Sequence, residues 1–134
     1  TDAISELFKP RPAQGYQSWL RGVGRSQQFT SAVVIGELFK GAFRSQAKAR
    51  YLTIIEDHVL PQFTVLQYDT EVARTYGELR ADLERAGTPV AEADLMIAST
   101  ARRYGLKLVT GNLRHFSKIS DLEIETAFAD ARRR

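Results

Sequence analysis

The chain has 134 residues, 43% hydrophobic and 26% charged, with a formal net charge of +3. That balance fits a single soluble domain, 1–134, with its own core, and the basic excess mildly favours a polyanionic partner. Cysteine is absent, which excludes disulfides and thiolate metal sites and is compatible with a cytoplasmic location; no apolar run approaches the ~20 residues of a membrane helix.

Residues 2–8 read as the close of one element and a short helical turn, broken by Pro10 and Pro12. Tyr16, Trp19 and Leu20 recur at the i, i+3, i+4 spacing of a short amphipathic helix that ends near Gly22 or Gly24. Residues 28–32 form a short strand running into a helix, with Ser31 placed to cap it. That helix, 33–44, is apolar through V-V-I-G-E-L-F apart from Glu37. Val34, Leu38 and Gly41 mark its inner side, with Glu37 beside the seam. A glutamate there either carries its head to water at the stripe's edge or serves a purpose inside. Gly36 and Gly41 weaken a helix intrinsically and point to close approach by another element.

Residues 46–59 make an amphipathic helix with Tyr51, Leu52, Ile54, Ile55 and Val59 inward. Lys48 and Arg50, with Lys40 and Arg44 before them, form a basic face that is either solvated or able to follow a phosphate backbone. His58 suits the helix end as a dipole partner, and Pro61 breaks the pattern. A strand over 63–68 leads to a long helix over 70–86, capped by Asp69 or Thr70, with Val72, Tyr76, Leu79 and Leu83 inward. Arg80 and Glu84 are spaced for an i,i+4 pair, and Gly87 ends the helix.

The next helix, 89–104, reads P-V-A-E-A-D-L-M-I-A-S-T-A-R-R-Y. At about 100° per residue, Asp94, Ile97, Ala98 and Ala101 share one side. Three of these suit a core. A carboxylate among them costs several kcal/mol to desolvate, on the order of the burial of any lone charge, unless a cation, a hydrogen-bond donor or a metal compensates it. The alternative is a first-turn acid favoured by the helix dipole. Gly105 stops the helix, L-K-L-V-T at 106–110 is a short buried strand, and Gly111 and Asn112 turn the chain. Leu122, Ile124, Thr126 and Phe128 alternate as a last strand with Glu123 and Glu125 outward. The arginines that close the chain, Arg132, Arg133 and Arg134, read as a solvated end.

Strands alternating with helices imply an α/β fold whose sheet is largely parallel and flanked by helices. In such sheets ligands bind beyond the carboxyl ends of the strands. That rule would gather Glu37, Asp94 and the turn of Thr110, Gly111 and Asn112 into one cleft. Clustered carboxylates repel, so a proton or a cation must join them. Oxygen donors, no cysteine and only two histidines favour Mg²⁺ or Mn²⁺, ions suited to phosphoryl-oxygen chemistry. With basic flanks the reading is a metal-dependent nuclease. A phosphoacceptor domain would need an acidic pair at a strand end and a lysine after a later strand, and neither pattern is recognisable.

Four stretches, S-E-L-F-K-P, T-S-A-V-V-I-G-E-L-F-K-G-A, G-T-P-V-A-E-A-D-L-M-I-A-S-T-A and L-V-T-G-N-L-R-H-F, resemble in order and spacing the PIN-domain toxins of bacterial VapBC toxin–antitoxin modules. The resemblance covers nearly the whole chain. It implies a PIN-like three-layer α/β sandwich with a central, mostly parallel sheet. It also implies a Mg²⁺- or Mn²⁺-dependent endoribonuclease, often cutting tRNA or rRNA, that a cognate VapB-type antitoxin neutralises. On this resemblance Asp94 is the principal metal-binding acid and Glu37 the acid of the second motif, while Thr110 and Asn112 position the metal's water or the phosphate. A homodimer and a toxin–antitoxin hetero-oligomer are implied as well, with an antitoxin tail placing a basic side chain in the acidic cleft.

The chain departs from the family pattern twice. The family opens with a hydrophobic strand ending in Asp-Thr-Asp or Asp-Thr-Asn, and Thr1 and Asp2 match only the second and third residues. The domain is therefore expected to be N-terminally incomplete here, with its first strand and leading metal-binding Asp upstream of Thr1, a role that Asp2 does not take over. Some relatives carry an acid where His115 stands. Without the leading Asp, the alternative is a catalytically impaired PIN-fold binding module acting through antitoxin binding and operator autoregulation.

Overall fold

The strand–helix alternation resolves into two units, Thr1–Gln67 and a second beginning at Tyr68, each built on one pair of parallel strands. The computed structural model describes residues 1–132, so Arg133 and Arg134 of the basic tail lie outside the described residues.

In the first unit, α1 (Asp2–Glu6), α2 (Gln14–Arg21) and β1 (Phe29–Ser31) lead into α3 (Ala32–Arg44). Ser31 caps α3 as expected, its hydroxyl accepting from the Val34 N–H at 3.1 Å. Val34, Ile35, Leu38 and Ala42 form the buried side of α3. Gly36 and Gly41 lie on its exposed side, and a Cβ at either would meet nothing within 4 Å. The close approach expected from these glycines is thus not what they serve.

The helix expected over 46–59 starts later and runs further. It comprises α4 (Lys48–Ile54), a widened π-turn (Ile55–Val59) and α5 (Leu60–Gln62), with Ile55 and Val59 buried. Pro61 does not break it. Proline sits at the start of α5, where its missing N–H and fixed φ are tolerated, and the chain becomes extended only at Phe63. Strand β2 (Thr64–Leu66) then pairs in parallel with β1, Phe29 opposite Thr64 and Ser31 opposite Leu66.

The second unit contains α6 (Thr70–Arg85), α7 (Glu92–Arg103), β3 (Leu108–Val109), α8 (Leu113–Phe116), β4 (Ile124–Glu125) and α9 (Ala127–Arg132). Its core gathers Leu79 and Leu83 of α6, Leu95 and Ala98 of α7, and Phe116 and Ile119. Both glycine stops hold: Gly87 and Gly105 have φ of 66° and 65°, and the following N–H groups, of Thr88 and Leu106, reach back to Leu83 and Ala101 carbonyls at 2.9 Å. Strands β3 and β4 are parallel, Leu108 opposite Ile124, and are half-buried rather than buried.

Two expectations fail in this unit. Arg80 does not pair with Glu84. It turns to the Val90 carbonyl at 3.1 Å and to Glu92 at 3.5 Å, partners brought near by the following helix. The last strand also ends at Glu125, and 127–132 is helical with Phe128 and Ala129 buried. A-F-A-D-A contains strong helix formers, and four alternating positions are too few to outweigh that preference. Among the described residues no helix is long and apolar enough to cross a membrane.

Candidate functional site

Asp94 stands in the first turn of α7, its side chain 25% exposed. It does not act as a cap: the N-cap is Ala91 and no side chain caps this end. Instead Asp94 Oδ2 lies 3.6 Å from His115 Nδ1. His115 belongs to α8, whose N-cap residue is Asn112, and Asn112 Nδ2 lies 3.0 Å from the same ring nitrogen. The Asn112 N–H donates to the hydroxyl of Thr110 at 3.0 Å, and Thr110 is buried. The turn after β3 is thereby locked. The second unit thus brings together Asp94, Thr110 and Asn112, three of the four residues singled out from the sequence, and adds His115.

Helix α7 is tied to α6 at both ends, which fixes where Asp94 points. At its start the Tyr76 hydroxyl donates to Glu92, and Arg80 reaches Glu92 and the Val90 carbonyl. At its far end the Tyr104 hydroxyl donates to Asp69 at 3.0 Å. The sequence offered Tyr76 as core and Arg80 as surface, so this clasp was not visible in it.

Glu37, the fourth residue, lies in the first unit and is half-buried on α3. The Thr1 hydroxyl donates to its Oε1. Glu37 also lines a cleft of about 450 Å³ with Thr1, Ser5, Lys9, Arg50 and Tyr51 among its walls. It is therefore a held, cleft-facing carboxylate and not a solvated edge residue. Nearby, Glu6 is buried, accepting from the Ala13 N–H at 2.9 Å and pairing with Lys9 at 2.8 Å. This ties the proline-rich turn back onto α1. Burial, followed by the charges of Asp2 and Glu6, pushes the Tyr16 phenol well above the usual tyrosine range, so it stays protonated. Glu6 lies in the S-E-L-F-K-P stretch of the resemblance, but the sequence assigned it no role.

The donors available to a cation are carboxylates, hydroxyls and one amide, without a thiolate. Among the described residues no group of three or more His, Asp or Glu side chains is arranged to hold a metal ion. This donor set still fits Mg²⁺ or Mn²⁺, because such an ion is bound by one or two carboxylates and completes its octahedron with water and phosphate oxygens. Asp94, with its side chain partly open to solvent, offers one such carboxylate.

A PIN-domain family model matches residues 1–122. The tRNA(fMet)-specific endonuclease VapC of Shigella flexneri is 43% identical over 118 residues, 88% of this chain and 87% of that protein. Its counterpart of the same description in Salmonella typhimurium is 42% identical over 100 residues, 75% of each. Among solved structures, FitAcB from Neisseria gonorrhoeae matches with a TM-score of 0.86 at 26% identity, over 95% of this chain and 94% of that one. VapBC2 from Rickettsia felis, bound to a DNA fragment from its promoter, matches with a TM-score of 0.78 at 29% identity over 84% of each. The PIN-like α/β fold expected from the motifs is the fold found. The chain belongs to the PIN-domain family and, within it, to the VapC ribonuclease toxins.

Proposed function

We propose that the protein is the toxin of a toxin–antitoxin module: an endoribonuclease dependent on Mg²⁺ or Mn²⁺, working as a single PIN-like domain. Its favoured substrate class is tRNA, and a VapB-type antitoxin inhibits it. The observation that carries this reading is the carboxylate of Asp94, 3.6 Å from the His115 ring nitrogen that Asn112 also meets, in a chain 43% identical to a relative named for tRNA(fMet) cleavage. The antitoxin and the hetero-oligomer are supported by the VapBC assemblies among the structural matches, and a homodimer belongs to the same reading.

In this reading Asp94 is the principal metal ligand and Glu37 the second acid. When bound, the divalent ion supplies Lewis-acid polarisation of the phosphoryl oxygen and stabilises charge developing on the leaving oxygen. Asn112 orients the phosphate or the attacking water, and Thr110 fixes the Asn112 backbone. His115 restrains the Asn112 amide. The clasp of Tyr76, Glu92 and Arg80 holds α7, and so Asp94, in register.

Incubating the full-length protein with total tRNA tests this directly. Cleavage should require Mg²⁺ or Mn²⁺, cease with chelator and return when metal is added in excess. The DNA-bound relative favours one second reading, a PIN-fold binding module with impaired catalysis that acts through its antitoxin and operator DNA. That reading prevails if the protein binds antitoxin and operator yet cuts no RNA in a panel of tRNA and rRNA.

A further inference from the structure

The cleft that receives Glu37 also carries an aromatic pair and two cations that the proposed chemistry leaves unused. Phe8 and Tyr51 stack with ring centroids 6.0 Å apart and planes 19° from parallel. Both are half-buried, so each keeps surface open to the cleft they line. The Arg50 guanidinium lies 5.9 Å from the Tyr51 centroid, within cation–π range. Arg50 is exposed, and among the described residues no carboxylate pairs with it. Lys9 also lines the cleft but is engaged by Glu6 at 2.8 Å. Gly41 and Ala42 are the small residues in the wall, and a Cβ added at Gly41 would meet nothing within 4 Å. The volume of about 450 Å³ lies in the ~300–1,000 Å³ range of small-ligand pockets.

An aromatic face beside an unpaired guanidinium is the combination that proteins use on single-stranded nucleic acid. The ring stacks on a base whatever its identity, and the cation meets the backbone phosphate. An apolar peptide side chain would use the rings but leave Arg50 without a counter-charge. Further basic side chains extend from the same two helices: Lys40, Arg44 and Lys48 are all exposed.

We propose that Tyr51, Phe8 and Arg50 form a nucleotide subsite that stacks an unpaired RNA base in the Glu37 cleft and holds its phosphate. This rests on the ribonuclease reading, since it places an unstacked nucleotide of the substrate next to one of the catalytic acids. It makes Tyr51 and Arg50 determinants of which RNA loops are accepted, and a duplex, whose bases are stacked away, a poor ligand.

The test is fluorescence anisotropy with a labelled single-stranded oligoribonucleotide in chelator, so that binding is read without cleavage. Tyr51→Phe should keep wild-type affinity, while Tyr51→Leu should lose about fivefold or more. Arg50→Ala should weaken binding and lower the slope of log K against log salt by about one. Thermal melting of each variant reports its folding. Unchanged affinity in a folded Tyr51→Leu would overturn the subsite. So would loss of antitoxin binding alone in that variant, which would give the cleft to a protein partner. Single-stranded RNA bound in a Tyr51-dependent way by a protein that never cuts RNA would keep the subsite and remove the ribonuclease reading. RNA cut normally by Tyr51→Leu at unchanged affinity would do the reverse.

Discussion

At His115 the sequence marks a position but not its partners. Asp94 was legible because helical spacing puts it beside Ile97, Ala98 and Ala101, an unusual neighbourhood for a carboxylate, and all three neighbours are buried. His115 was marked only by the resemblance, as a position where some relatives carry an acid, and not by its spacing. Only the single turn of α8 brings it within 3.6 Å of Asp94 and 3.0 Å of Asn112. Residues that orient a ligand-bearing group commonly matter about 10–100-fold. Asn112→Ala and His115→Ala should each lower kcat/KM for RNA cleavage by that order while leaving the melting temperature unchanged. Equal activity in both variants would remove these residues from the site. Glu6 was quoted in a motif but its role was not legible: one partner is a backbone N–H across a proline-rich turn, which leaves no pattern. Glu6→Leu strands the part-buried Ala13 N–H, so urea unfolding should show a loss of about 1 kcal/mol.

At the level of elements, the legible features were those with local chemistry. Ser31 was readable as a cap, and Asp69 as one of two candidates with Thr70; the oxygens of both Ser31 and Asp69 serve N–H groups three residues on. Gly87 and Gly105 were readable as stops because the chain there needs positive φ. The boundary between β4 and α9 was not readable, since a run that alternates also satisfied a short helix; nor was the passage of α5 through Pro61, which stands at the start of α5 where proline is tolerated. Ser31→Ala should cost about 1 kcal/mol in chemical unfolding. The Asp69 carboxyl is held below its ordinary 3.8 first by the Val72 N–H and then by the Tyr104 hydroxyl. A carboxyl lowered in the folded state stabilises it above the unfolded value and loses that contribution as pH falls through the folded value. Melting temperature should therefore fall on acidification below about pH 4, and Asp69→Asn, which still caps, should flatten that limb. An unchanged acid limb in the variant would show that Asp69 does not drive it.

For the molecule as a whole, four motifs in order carried the identification where none alone was specific, and the family match over residues 1–122 accounts for all four. What the sequence could not convey is the support around them. α7 is held at its start by Tyr76, Arg80 and Glu92 and at its end by Tyr104 and Asp69, contacts between residues up to 35 apart in the chain. The proposed function makes Asp94 the carboxylate that would hold the metal for RNA cleavage. The most direct measurement is the initial rate of tRNA cleavage in Mn²⁺ by the wild type and by Asp94→Asn, a substitution of nearly equal size, with both melting curves recorded. Asp94→Asn should fold and its rate should fall at least about a hundredfold, the loss expected when a metal-held transition state gives up its principal ligand. A folded Asp94→Asn that cleaves at the wild-type rate would contradict the proposed function.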